Sequence, residues 1–254
     1  MRPMESLEPW QWALAFLGAF LVGLAKTGVA GIGILFVAIF ANILPAREAV
    51  GVVLPLLICG DLIAVATYRR HAKWQYLWRL FPWTAAGVVG GYFVMDRIDD
   101  AGVSLLTGTI LLTLITVHLW RKTAAARRGG EAPVPKHPAF AVTMGIFAGF
   151  TTMVSNAAGP IMILYLLAMR LPKMEFLGTG AVYFLIMNLF KVPFGVSLGI
   201  ITAESLKLDL KLIPFVIAGA VGGRLLITRI PQKLFETLAL VFTSLAALRL
   251  LAMA

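Results

Sequence analysis

Apolar residues run through this chain in ten blocks separated by short polar or glycine-rich stretches. In the first half the blocks cover roughly residues 10–25, 32–44, 49–68, 76–95 and 102–120. In the second they cover 140–154, 158–169, 176–198, 208–227 and 234–253. A helix crossing the hydrocarbon core needs about 20 residues at about 1.5 Å each. Blocks three to five of each half therefore predict full spans. The first two of each half, 12 to 16 residues long, predict a re-entrant hairpin or a pair of strongly tilted short spans. The joins within these short pairs are Lys26-Thr27-Gly28-Val29-Ala30-Gly31-Ile32-Gly33 and Thr151-Thr152-Met153-Val154-Ser155-Asn156-Ala157-Ala158-Gly159-Pro160. Non-helical backbone at membrane depth is tolerated only when buried in protein or lining a cavity. The two breaks are thus predicted to face each other and form one binding site.

The halves also resemble each other. Pro82 followed by Ala86-Gly87-Val88-Val89-Gly90-Gly91 reappears, with the same spacing, as Pro214 followed by Ala218-Gly219-Ala220-Val221-Gly222-Gly223. Asp61 and Asn188 occupy the same place in the third block of each half, and Leu44-Pro45 matches Leu171-Pro172. This ordered series predicts a duplication, with residues 1–120 as a first repeat, 121–138 as a linker and 139–254 as a second repeat. The fold class expected is an all-α polytopic membrane protein of two repeats of five segments each. The glycines at 87, 90 and 91 and their copies are expected to let helices pack closely.

An odd number of segments per half inverts the second copy, and the basic residues test that inversion. With the linker cytoplasmic, that side collects Arg69, Arg70, Lys73, Arg79, Arg121, Lys122, Arg127, Arg128, Lys136, Arg170, Lys173, Arg224, Arg229 and Lys233, fourteen in all. The other side holds six: Arg2, Arg47, Arg97, Lys207, Lys211 and Arg249. The bias favours a cytoplasmic linker and both termini outside, with Lys26 and Lys191 left inside the membrane. Inverted repeats with broken helices at the midplane are a recurrent transporter plan.

Composition agrees. The chain of 254 residues is 60% hydrophobic and 13% charged, half the charge of a typical soluble domain. Its net charge of +10 is dispersed over short loops, without the basic face that nucleic acid requires. The single cysteine, Cys59, excludes a disulfide framework and a thiolate cluster, and it reads as packing. The N-terminus lacks the form of a cleaved signal peptide. The tryptophans at 10, 12, 74, 78, 83 and 120 cluster near block ends and read as interfacial anchors.

Few residues carry chemistry. A lysine at the centre of a span costs about 2.5–3.5 kcal/mol to insert, so Lys26 either has a compensating role or snorkels to the surface from a shallow hairpin tip. In the first reading Lys26 and Thr27, with the backbone of Gly28, Gly31 and Gly33, meet Ser155, Asn156 and Gly159. Two helix starts, near Gly33 and after Gly159-Pro160, aim the positive ends of their dipoles at the same spot. Together these groups make an anion site. Asp61 is read as the carboxylate well inside a span, either carrying a proton during transport or pairing with Lys26. Asn188 stands in its place in the other half. Lys191, one turn further on, either joins this polar group or reaches the outer interface. His71, His118 and His137 lie in or beside cytoplasmic loops, and no metal motif, nucleotide-binding fingerprint or intramembrane protease pair is present. No metal, no cofactor and no enzymatic activity are expected.

At this point the chain resembles the TauE/SafE sulfite exporters of bacteria, a family of duplicated four-transmembrane units. The carriers of the resemblance are the Gly-rich opening from Gly23 to Gly33, the Leu44-Pro45 turn, Gly51-Val52-Val53-Leu54-Pro55 and the Gly-Gly helices ending at Gly91 and Gly223. The resemblance implies movement of sulfite, or sulfonates such as sulfoacetate, across the bacterial inner membrane. Many relatives have small residues where this chain has Lys26-Thr27-Gly28, which leaves room for a substrate with a second anionic group. The function expected is secondary transport, most simply export, with proton coupling and a homodimer left open. The alternatives are an anion channel, an uptake permease for another small oxyanion, and a membrane-bound sensor that binds without flux.

Overall fold

A computed structural model describes residues 7–28, 31–95, 97, 105, 109, 112–113, 115–117, 119–120, 123, 127, 134–135 and 137–252. Among these the chain is helical, without strands. The helices are α1 (Pro9–Thr27), α2 (Gly33–Ile43), α3 (Ala46–Tyr68), α4 (Trp74–Met95), α5 (Pro138–Ser155), α6 (Ala158–Ala168), α7 (Lys173–Ser197), α8 (Ala203–Ile227) and α9 (Gln232–Ala252). A short 3₁₀ turn, Arg69–His71, links α3 to α4. Most of the fifth block and of the 121–138 linker lies outside the described residues, as does His118. The helical residues that are described there include Thr109 and Thr113, whose hydroxyls donate to the carbonyls four residues back.

Among the described residues, four segments have the length and apolarity to cross a bilayer: Glu48–His71, Pro138–Ser155, Lys173–Ser197 and Ala203–Ile227, with mean hydropathies of 2.4, 1.4, 1.4 and 1.8. The helix starts follow local chemistry. Pro9 and Pro138 open α1 and α5 at positions that need no N–H donor. The His137 Nδ1 accepts the Ala139 N–H, and Thr202 with Ser205 forms a reciprocal cap on α8.

One expectation is corrected. The first element of each half is not short, since α1 has 19 residues and α5 has 18, about 27–29 Å. The apolar blocks stop short of Thr27 and Ser155, yet both residues are helical, and the Ser155 hydroxyl returns to the Thr151 carbonyl, four residues back. The helices α2 and α6, at 11 residues each, are the short ones. Helix α6 is apolar all round and is buried from Pro160 through Leu166, as such a helix must be. It lies in an extensive core with residues of α5, α7 and α9, including Tyr165, Tyr183 and Phe235. The α2 residues Phe36, Phe40 and Ile43 lie in a second core with α1, α3 and α8.

The most extensive interfaces cross between the halves: α4 on α5, α1 on α8, and α3 on α7. Glycine makes them close. A Cβ on Gly23 would fall on the Val216 carbonyl, and one on Gly219 would fall on that of Phe20. Across the other interface, Gly87 meets the Ile146 carbonyl and Gly149 that of Thr84. Gly91 and Gly223 are also crowded, nearest to the side chains of Met153 and Thr27. Gly90 has open space around it and Gly222 nearly so, so close packing belongs to four of the six glycines in the Gly-Gly motifs. Trp10, Trp74, Trp78, Trp83 and Trp120 face outward, where lipid would lie.

The structure also reveals Asp209, on the second turn of α8, which the sequence reading passed over. It is 2% exposed, and both carboxylate oxygens lack a hydrogen-bond partner among the described residues. Leaving such a group unmatched costs about 1–3 kcal/mol. Asp209→Leu should therefore raise the thermal unfolding temperature of the purified protein, and a drop would show that the carboxylate is paired in the membrane.

Candidate functional site

The end of α1, the start of α2, the α5–α6 join and the middles of α3 and α7 converge on one cavity of about 110 Å³. That is several times the roughly 10–15 Å³ a single water requires, enough for a small solute. Its walls are mostly apolar, with Phe36, Leu57, Ile163, Phe176 and Phe184 among them. The polar lining comes from Lys26, Asp61, Thr152, Asn156 and Asn188, and from backbone at Gly31, Gly33 and Gly159.

Lys26, in the last turn of α1, places its Nζ 2.7 Å from Asp61 Oδ1 and 4.3 Å from the centre of the Phe184 ring. Its side chain is 11% exposed and that of Asp61 is fully buried. The Lys26 ammonium is thus held inside the bundle, against Asp61 and Phe184. The other Asp61 oxygen, Oδ2, accepts a 2.7 Å hydrogen bond from Asn188 Nδ2. Asp61 and Asn188 thus touch where α3 crosses α7.

Lys191 is also inside, 1% exposed. Its ammonium donates to Asn156 Oδ1 at 2.6 Å and Thr152 Oγ1 at 3.2 Å, not to the outer interface. Asn156 donates in turn to the Val50 carbonyl of α3. It sits in the left-handed region at φ 54°, a conformation asparagine adopts more readily than most residues, and it ends α5 there.

The arrangement crosses over: an α1 lysine reaches an α3 carboxylate, while an α7 lysine reaches the end of α5. Neither α2 nor α6 has a side-chain cap on its first turn. The positive dipole ends of both helices therefore lie at the cavity, which Gly33 and Gly159 line. Gly159 has no atom within 4 Å of where a Cβ would stand, so its backbone is open to the space.

Of the residues singled out from sequence, Lys26, Gly31, Gly33, Asn156, Gly159, Asp61 and Asn188 line the cavity. The others support it from outside. The Thr27 hydroxyl donates to the Ala220 carbonyl at 2.7 Å, and the Thr27 carbonyl accepts from the Tyr68 hydroxyl at 2.6 Å. Gly28 packs on Gly223 and its N–H is taken by Leu24. Ser155 turns back onto Thr151, and Lys191 stands behind Thr152 and Asn156. Sequence reading missed Thr152 and Phe184. Thr152 lies within the second break, but nothing local marks it above Thr151. Phe184 is one of many aromatics in apolar helices.

The long apolar helices and the buried polar cavity between them define a multi-pass membrane protein. The chain belongs to the sulfite exporter TauE/SafE family, whose model matches residues 15–250. This is a family of membrane transporters, and membership implies transport of sulfite or a related anion. No curated protein and no solved structure matches the chain.

Proposed function

We propose that this protein is a secondary transporter that exports sulfite or a small organosulfonate across the bacterial inner membrane. The anion sits in the cavity between the α1–α2 and α5–α6 joins. Lys26 offers its ammonium, and the first N–H groups of α2 and α6, near Gly33 and Gly159, supply neutral donors. Asn156 and Thr152 orient Lys191 behind them. The observation that carries this reading is the burial of two lysines beside one carboxylate at a cavity bounded by two uncapped helix starts. Such a site attracts negative charge and excludes cations.

The two halves form inverted repeats, with the linker cytoplasmic and both termini outside. The reciprocal interfaces support this, since the first helix of each half packs on the fourth of the other and the two third helices pack together. The apolar shell lets a partly dehydrated anion rest without a covalent step, and rocking of one repeat on the other then exposes the cavity to each side in turn.

The test is flux. Purified protein in liposomes should transport sulfite and methanesulfonate with saturation and counterflow. Flux that rises linearly with concentration would instead indicate a channel. Gly159→Ala should weaken methanesulfonate binding about tenfold without changing the unfolding temperature, because the added methyl enters open space at the cavity and contacts no protein atom. Unchanged affinity would remove the α6 start from the site.

A further inference from the structure

The charges around the cavity do not balance. Lys26 and Lys191 bring two positive charges and Asp61 brings one negative. Lys26 is paired with Asp61 at 2.7 Å, whereas the hydrogen-bond partners of Lys191 are both neutral. Among the described residues, Lys26 from α1 and Lys191 from α7 are the ionisable groups whose charge reaches Asp61, with Asn188 of α7 as its neutral partner. Helices α2 and α5, which also touch α3, contain no ionisable residue. Helix α8 and the 3₁₀ turn, which also pack on α3, carry Glu204, Lys207, Asp209, Lys211 and Arg224, and Arg69, Arg70 and His71, and among the described residues the hydrogen bonds and ion pairs of Asp61 go to Lys26 and Asn188. With both lysines protonated and Asp61 ionised, the empty cluster would hold one positive charge without a carboxylate partner at membrane depth, where net charge is costly.

We infer that the site is built to close at zero net charge, so that a monoanion binds by itself whereas a dianion binds together with one proton, held on the Asp61 carboxylate. This rests on the anion-transport reading above and specifies its substrate charge and its coupling. A monoanion such as a simple sulfonate neutralises the excess positive charge while Asp61 stays ionised and holds Lys26. A dianion brings one negative charge too many. A proton taken from the entry side adds to Asp61, the Lys26–Asp61 ion pair opens, and Lys26 is released to the second anionic group of the substrate. Asn188 can keep its hydrogen bond to Asp61 throughout, because a protonated carboxyl still offers an acceptor oxygen. On the far side the dianion and the proton leave together. One negative charge therefore moves per turnover for either substrate class.

Proton uptake on binding provides the test. Titration calorimetry of the full-length protein in buffers of different ionisation enthalpy reports the number of protons bound per ligand. The probes are methanesulfonate, a permanent monoanion, and sulfoacetate, whose sulfonate and carboxylate are both ionised at neutral pH. The wild-type protein should take up no proton with methanesulfonate and one with sulfoacetate. Asp61→Asn, which raises the empty site to two positive charges, should bind sulfoacetate with no proton uptake. Lys191→Met, which lowers it to zero, should make even methanesulfonate binding take up one proton.

Equal uptake for both probes in the wild type would overturn the inference and leave anion transport standing. Sulfoacetate uptake that persists in Asp61→Asn would also overturn it, by placing the proton elsewhere. Failure of the wild type to bind either probe would refute the anion-site reading itself. If Asp61→Asn does not fold, the Lys191→Met result decides.

Discussion

Lys26→Ala is expected to lower methanesulfonate and sulfite affinity about 100-fold, a loss of about 2.8 kcal/mol at 1.4 kcal/mol per decade. It should also destabilise the protein. The first effect follows from removing the one ammonium that lines the cavity among the described residues, since hydrogen bonds to charged groups contribute about 1.5–3 kcal/mol each. The second follows from leaving Asp61, fully buried, with Asn188 as its remaining hydrogen-bond donor. Removing one member of a buried ion pair costs about 3–5 kcal/mol, because the other charge stays uncompensated. The two effects separate in the double variant Lys26→Ala/Asp61→Asn. Thermal unfolding in detergent should return most of the way to the wild-type value, while anion affinity stays low. A double variant that recovers binding as well would show that Lys26 neutralises Asp61 and does nothing for the ligand.

Gly23→Ala and Gly219→Ala should each remove several kcal/mol of stability, enough to abolish the folded monodisperse peak in detergent. Overpacking a well-packed core with side-chain atoms costs about 1–3 kcal/mol. Here the new methyl meets backbone, the carbonyl of Val216 or Phe20, and backbone cannot rotate aside. Helices α1 and α8 would have to move apart along the interface that also holds Thr27 against Ala220, so the end of α1 and Lys26 would move with them. Gly90→Ala provides the control. It belongs to the same motif, but its Cβ would meet nothing within 4 Å, and its unfolding temperature should be unchanged. Size-exclusion profiles of the three variants decide the matter, and a sensitive Gly90→Ala would refute the packing account.

Much of the site could be read from residues along the chain. The two breaks stand where small and polar residues interrupt apolar blocks, and helices end and restart there. Asp61 and Asn188 stand at matching places in the third blocks of the two halves, and in three dimensions the two side chains meet. Which partner each charge finds was not visible. Lys26 could pair with Asp61 or reach the surface, and Lys191 could turn outward or inward. Both depend on the crossing of helices distant in the chain. Thr27 and Gly28 stand in the same glycine-rich stretch as Gly31 and Gly33, yet they face α8 and not the cavity. Their direction follows from the rotation of α1, which the α8 glycines at 219 and 223 impose.

Hydropathy therefore determined by itself that this chain is a bundle of apolar membrane helices. Transfer of each segment out of water depends on its own residues, and a break in a helix is a local event. Only the tertiary structure decided that Lys26 pairs with Asp61, that Lys191 is held by Thr152 and Asn156, and that two lysines and one carboxylate gather around one cavity. A buried charge is stabilised by whatever the facing helices bring within about 3 Å, and that is a property of their packing.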